Sequence, residues 1–235
     1  LRRNKGAFCT EVGWYREKFS SQQQTLSGFF YGGVVLSRIA IYGGSFDPPH
    51  NGHKRLCENL FEAANVEKAI IIPAHSSPFK NGCEASDRDR LFMCRRAFFE
   101  KNFEISDFEL NRGGKSYTFD TVFAFKNAHP NDEIFLFMGD DMFLSLDRWY
   151  KSKELLTLCT PVAACRTADR RFFSDMRDFA ENTLRLSYDR YILSYSEPFE
   201  ISSTKIRELI KENKDVKEFL SPEVYEYIKE RNIYK

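Results

Sequence analysis

The chain has almost no excess charge of either sign, no paired-cysteine motif and no apolar run of membrane length. Across 235 residues, 35 Lys and Arg meet 34 Asp and Glu, for a formal net charge of +1. Such balance argues against a dedicated nucleic-acid binder or a membrane-surface protein. The six cysteines, Cys9, Cys57, Cys83, Cys94, Cys159 and Cys165, include no C-x-x-C pair. A scattered set suits a reducing cytosol better than a disulfide framework or a zinc site, so a cytoplasmic location is expected. The apolar patch 29–36 is broken by Gly32 and Gly33. It is too short to span a bilayer and shorter than a signal-peptide core with its cleavage site. No Ser-His-Asp arrangement, reactive-cysteine motif or metal-ligand cluster of recognised spacing occurs, and there is no internal repeat. What is plentiful is apolar material. The chain is 42% hydrophobic and 15% aromatic, with 23 Phe, enough to core one large α/β domain or two small ones.

Residues 1–36 carry the polar tract Ser20-Ser-Gln-Gln-Gln-Thr-Leu-Ser-Gly28 and no sustained period. They are expected to be a non-globular extension, with 37–235 as a single domain. From Arg38 onward, strand and helix patterns alternate. Strands are predicted at Arg38–Tyr42, Lys68–Pro73, Phe103–Ile105, Glu133–Met138, Thr160–Cys165 and Tyr191–Leu193. Helices are predicted from His50 through Leu56, Leu60, Phe61 and Ala64, then at Asp87–Phe99, Thr118–Asn127, Phe172–Leu184, Thr204–Lys211 and Pro222–Glu230. Continuous apolar strands separated by helices imply an α/β fold, a doubly wound parallel sheet covered on both faces. Ligands in such sheets lie at the carboxyl ends of strands, where Gly43-Gly44 and Gly139-Asp140-Asp141 both fall.

The segment Gly43-Gly-Ser-Phe-Asp-Pro-Pro-His-Asn-Gly-His53 follows the first strand directly. Two glycines let the backbone turn sharply beside a ligand, and His50 and His53 then open a helix, whose N-terminus favours anions. This suits a triphosphate rather than a metal. A second constellation is Ile201-Ser-Ser-Thr-Lys-Ile-Arg207. Either Ser202 or Ser203 can cap the helix that follows, and Arg207, about one turn on, can bring its donor fork to the same anion. Taken alone, Ser-Ser-Thr before a helix is more often a plain cap with no ligand. A third, Asn111-Arg-Gly-Gly-Lys-Ser-Tyr-Thr-Phe-Asp-Thr121, is either an ordinary loop before a helix or a second backbone-donor site at Tyr117-Thr118.

Together these motifs resemble the nucleotidyltransferases, with their H-x-G-H signature, and in full form the bacterial nicotinate mononucleotide adenylyltransferases. The resemblance covers 37–235 and implies a Rossmann-like sheet with C-terminal helices. It implies adenylyl transfer from ATP to nicotinate mononucleotide, with Mg²⁺ carried on the ATP and no metal held by the protein. It places Gly43, Gly44, Ser45, Phe46, His50, His53, Gly139, Asp141, Ile201, Ser202, Ser203, Thr204 and Arg207 on ATP. It places Ser45, Lys80, Tyr117, Thr118, Asp141, Trp149 and Arg166 on the mononucleotide, with the Trp149 indole stacked on the pyridine ring. His50, His53, Lys80 and Arg207 would stabilise phosphate charge, with Asp47 a candidate outer-sphere partner of Mg²⁺. The chain departs from the family pattern at Ser45 for Thr, at Phe79 for His, and at Thr167-Ala168 where Pro-Gly is usual. Two alternatives remain at this stage: another acceptor, nicotinamide mononucleotide or phosphopantetheine, and a non-catalytic nucleotide-binding regulator. Oligomeric state, a homo-oligomer included, is left open.

Overall fold

Runs of β-branched and small apolar residues make the strands, and amphipathic segments between them make the helices. The computed structural model describes residues 36–76, 78, 82–165, 169–197, 199 and 201–235. The expected extension therefore lies almost wholly outside the described residues, and Ser37–Lys235 is a compact unit by itself. Its strands are β1 (Arg38–Gly44), β2 (Lys68–Pro73), β3 (Phe103–Ile105), β4 (Glu133–Gly139), β5 (Thr160–Cys165) and β6 (Ile192–Tyr195). All pair in parallel in the order β3-β2-β1-β4-β5-β6. The order in which successive strands are added reverses between β1 and β4, which is where such a sheet opens a crevice for ligand. Here the β1–β4 ladder stops at Ile41–Leu136, although β1 runs to Gly44 and β4 to Gly139.

The helices are α1 (Asn51–Ala64), α2 (Asp87–Ala97), α3 (Phe108–Arg112), α4 (Thr118–Ala128), α5 (Asp140–Phe143), α6 (Ser152–Leu158), α7 (Arg170–Asp178), α8 (Ser203–Lys211) and α9 (Pro222–Arg231). Alternate strand residues serve two separate cores, which is why the strands read as continuously apolar. Ala40, Tyr42, Ile71, Phe137 and Val162 face α1, α2, α8 and α9 through Leu60, Cys94, Ile206 and Val224. Ile39, Ile41, Ile72, Leu136 and Ala163 face the other layer through Val122, Phe143, Leu155 and Met176. Each fully buried aliphatic or aromatic side chain contributes on the order of 1.5–3 kcal/mol, so both layers hold the sheet firmly. Among the described residues no helix is long and apolar enough to cross a membrane.

Three short helices, α3, α5 and α6, were not expected, being too brief to show a 3.6-residue period. The predicted helix 172–184 is interrupted. Its α-helical part ends at Asp178 and a π-helical turn occupies Phe179–Thr183, placing Ala180 in the core and Phe179 against Phe143 at 6.0 Å. Helix α2 ends two residues before its predicted limit because Phe98 leaves helical geometry to pack against Tyr42, Phe46 and Phe103.

Candidate active site

At the carboxyl end of β1, Gly43 is exposed, and a Cβ built on it would meet nothing within 4 Å. That leaves open room beside the backbone. Gly44 is required for the opposite reason: a Cβ there would lie 2.9 Å from the Phe46 ring. Phe46 takes left-handed geometry (φ +46) with its ring buried between Tyr42, Phe98 and His53. Such a conformation costs a phenylalanine about 1–2 kcal/mol, and burial of the ring offsets it. Arg90, fully buried on α2, clamps the turn by donating from Nη1 to the Ser45 carbonyl at 2.7 Å.

His50 is the N-cap of α1, and His53 sits in its first turn. The His50 backbone N–H donates to His53 Nδ1 at 3.2 Å. An acceptor at Nδ1 leaves the ring proton on Nε2, so His53 presents a donor away from its own helix. The two imidazoles lie against each other at 3.7 Å between centroids, tilted by 34°. The intervening glycine permits this arrangement, since a Cβ at Gly52 would come within 3.0 Å of His50 Nδ1 and 2.9 Å of Phe199.

The start of α8 is tied to this turn. Ser202 caps the helix by accepting from the Lys205 N–H at 3.2 Å, whereas the Ser203 hydroxyl donates to the Pro48 carbonyl at 2.9 Å. The two serines thus divide the roles that local reading left open. Arg207 donates from Nη1 to the Asp47 carbonyl at 2.8 Å and from Nε to Glu84 at 2.9 Å, with Nη2 3.5 Å from the Thr204 hydroxyl. Hydrogen bonds from Lys211 and Arg207 hold the Glu84 carboxyl below its usual range. Asp47 does not suit the expected outer-sphere metal role. It is buried, and its carboxylate accepts from the N–H groups of Glu84 and Ala85 and from the Tyr234 hydroxyl. Three of its roughly four acceptor sites are committed to the fold. Among the described residues, no cluster of three or more His, Cys, Asp or Glu could hold a metal.

A second group of predicted residues comes together across the crevice. Buried Ser116 accepts from the His75 N–H at 3.0 Å, and its own N–H donates to the Ser76 carbonyl at 2.8 Å. This stitches the Ser116-Tyr117-Thr118 segment to the loop after β2. That loop begins beside the glycine turn, where the Ala74 N–H donates to the Gly44 carbonyl at 2.8 Å. Tyr117 caps α4 and Thr118 begins it, and first-turn N–H groups have no intrahelical acceptor. The Tyr117 N–H itself turns to the Lys115 carbonyl at 3.2 Å. Tyr117, Thr118 and Trp149 line one cavity of about 220 Å³ with Pro78, Arg148 and Tyr150. The Trp149 indole N–H donates to the Ser145 hydroxyl at 3.1 Å, which fixes the ring plane. Gly139 ends β4, and Asp141, exposed, follows buried Asp140 in α5.

Lys80 and Arg166, together with the departures at Phe79 and Thr167-Ala168, lie outside the described residues. Four working residues escaped sequence reasoning: Arg90, Asp87, Glu84 and Tyr234. Arg90 pairs with Asp87, which also accepts from His75 Nδ1. Burial alone would raise the Asp87 carboxyl, but the hydrogen bonds from His75 and Arg90 prevail and hold it low. The available signal was an arginine in line with Cys94 and Ala97 on the buried face of α2.

A cytidylyltransferase-like family model matches residues 41–209. The chain is 30% identical over 203 residues to a Clostridium tetani protein described as a probable nicotinate-nucleotide adenylyltransferase, covering 85% of this chain and 100% of the relative. A Fusobacterium nucleatum protein of the same description is 35% identical over 199 residues, covering 83% and 99%. A solved Plasmodium falciparum nicotinic acid mononucleotide adenylyltransferase complexed with NaAD superposes with a TM-score of 0.67 at 19% identity, covering 84% of this chain and 97% of that one. At that identity the likeness speaks for the fold alone.

Proposed function

The chain belongs to the cytidylyltransferase-like family and, within it, to the nicotinate-nucleotide adenylyltransferases, and from that premise we propose how its site transfers adenylate from ATP to nicotinate mononucleotide. The phosphate of the mononucleotide attacks the α-phosphorus of ATP in line. A new P–O bond forms, the bond to the β-phosphate bridging oxygen breaks, and pyrophosphate leaves with that electron pair. The product is deamido-NAD, the precursor of NAD. The attacking oxygen is already anionic, so no general base is needed, and catalysis reduces to positioning and charge stabilisation. His53 Nε2, His50 and the first-turn N–H groups of α1 receive the triphosphate over Gly43, with α8 and Arg207 completing the anion site. Lys80 and Arg166 add positive charge toward the mononucleotide. The divalent cation, Mg²⁺ in this reading, enters on the ATP as part of the substrate. We assign the whole reaction to Ser37–Lys235, the compact unit that carries these residues. Cys57, Cys94 and Cys159 are buried thiols there, in keeping with a reducing cytoplasm.

The observation that carries the reading is the cavity where Tyr117, Thr118 and Trp149 meet. Trp149 stacks on the pyridine ring, while the start of α4 supplies donors and a positive dipole end to the ring carboxylate. A carboxylate only accepts hydrogen bonds, whereas a carboxamide turns an NH₂ toward those donors or leaves one facing no acceptor. An unpaired buried donor costs about 1–3 kcal/mol, and loss of the charge-assisted bond adds a comparable amount. Together these reach the roughly 2.7 kcal/mol that a hundredfold ratio demands. Pyrophosphate release with nicotinate mononucleotide, nicotinamide mononucleotide and phosphopantetheine is the test. We expect nicotinate to lead nicotinamide by at least about 100-fold in kcat/KM, with phosphopantetheine inert. Near-equal efficiencies would mean that this cavity does not read the carboxylate.

A further inference from the structure

The family model ends at residue 209, yet the segment beyond it grips the turn that carries both histidines. Tyr234 is 6% exposed, and its hydroxyl donates to Asp47 Oδ1 at 2.8 Å. Its backbone is left-handed at φ +70, an unfavourable choice for an aromatic residue. It is held there by a helix end: after α9, Asn232 adopts left-handed geometry and the Ile233 N–H donates to the Ile228 carbonyl at 3.0 Å. At the other side of the turn, Asn51 donates from Nδ2 to the carbonyls of Glu218 at 3.1 Å and Leu220 at 3.4 Å. The segment itself is anchored to α2, where the Tyr227 hydroxyl donates to Asp89 at 2.8 Å and its ring packs on Phe92 at 4.2 Å. Residues 47 and 51 bracket Pro48, Pro49 and His50, so both flanks of the histidine turn are tied to one distant segment.

We propose that Tyr234 is a positioning residue for adenylyl transfer: through Asp47, and with Asn51 on the opposite flank, it sets the turn that aims His50 and His53 at the triphosphate. The inference rests on the adenylyltransferase reading of that site. Asp47 is the junction. Its carboxylate is orientated by Tyr234 and by the N–H groups of Glu84 and Ala85, while its carbonyl receives Arg207. Removing the phenol hydroxyl takes one of the two donors from Oδ1 and leaves it the Ala85 N–H, so the carboxylate is held less tightly and the Arg207 contact and the histidine turn shift with it. A displacement well under 1 Å suffices to lower a rate that depends on alignment.

Tyr234→Phe retains the ring that fills the site and removes only the hydroxyl. We expect kcat to fall roughly tenfold and KM for Mg-ATP to rise. KM for nicotinate mononucleotide should stay at its wild-type value, because that cavity lies at Tyr117 and Trp149. The imidazole signals in ¹H–¹³C spectra give a readout independent of activity. With four histidines in the chain, those of His50 and His53 should move and that of His129, which pairs with Asp132, should not. Unmoved His50 and His53 signals in folded Tyr234→Phe would overturn the proposal, whatever the rate. So would equal losses for both substrates alongside a uniform fall in thermal midpoint. Should that variant fail to fold, Asn51→Ala releases the other flank and carries the same expectations and the same overturning results. Wild-type protein inactive with every acceptor would instead refute the adenylyltransferase reading, and the spectral comparison would still judge the clamp.

Discussion

His53 illustrates how one side chain acquires a role from its neighbours. Its Nδ1 accepts the His50 N–H, so the capping bond selects the tautomer and leaves Nε2–H as the donor toward the nucleotide. His53→Ala removes that donor and the capping bond together. Turnover should fall about 10²- to 10³-fold, the scale of losing one preorganised transition-state donor. The cavity left is small, because the ring is only half-buried between Phe46 and His50. Circular dichroism would verify the fold and pyrophosphate release the rate. A folded variant retaining more than half the wild-type turnover would remove His53 from the chemistry. At the same scale, Gly52 is explained by contact rather than by backbone freedom: any side chain there would strike the His50 ring and Phe199.

Among the elements, α8 joins helix capping to site assembly. Its two leading serines look interchangeable in the sequence but do different work, Ser202 satisfying the Lys205 N–H and Ser203 reaching the Pro48 carbonyl. Ser202→Ala should lower the unfolding free energy by about 1 kcal/mol, whereas Ser202→Gly should cost only a few tenths, since glycine is tolerated at an N-cap. Urea titrations of the two variants compare these values directly, and equal costs would show that the hydroxyl is not capping the helix. Helix α2 makes the complementary point. Helical spacing in the sequence sets Leu91, Cys94, Ala97 and Phe98 on one face; Cys94, Ala97 and Phe98 are buried, but beside them the helix buries Arg90 and Met93 while Leu91 is only half-buried. A period of 3.6 residues locates a stripe to within about one position, and here that one position conceals the arginine that holds the Ser45 carbonyl.

At the scale of the whole molecule, stability should depend on pH through the carboxylates that bind the loops together. The Asp87 carboxyl is held below its ordinary value by His75 and Arg90 against the opposing effect of burial. The Asp89 carboxyl is also low: burial would raise it, but hydrogen bonds from Ser86 and Tyr227 win. A carboxyl whose folded value is depressed contributes stability above its unfolded value, near 3.9 for Asp, and that contribution is lost as pH falls through the lower folded value. Asp87→Asn should therefore be less stable than wild type near pH 7, and the gap should narrow below about pH 3.9. Thermal midpoints of both proteins from neutral pH into the acid limb check this. A gap that stayed constant on acidification would mean that the Asp87 charge contributes nothing to stability. Water reaches Asp87, whose side chain is 37% exposed, so the effect is smaller than for a fully buried pair.

Residues 38–235 carry in their order alone the alternation of strand and helix, the parallel sheet and the two glycine-bearing strand ends. Those follow from local periods and from the few ways that continuously apolar strands can be covered. The H-x-G-H turn, the Ile-Ser-Ser-Thr-x-Ile-Arg helix start and the Ser-Tyr-Thr segment were legible too, since each is a contiguous string with a local physical reason. Tertiary structure alone decided what crosses the chain. It placed Tyr117, Thr118 and Trp149 around one cavity, turned Asp47 from a candidate metal partner into a buried acceptor, and set Arg90 beneath Ser45. It also brought Tyr234 to a residue 187 positions earlier. A hydrogen bond between partners so distant leaves no trace in any local window. It exists only because the sheet, its covering helices and the segment after α9 deliver both groups to one point.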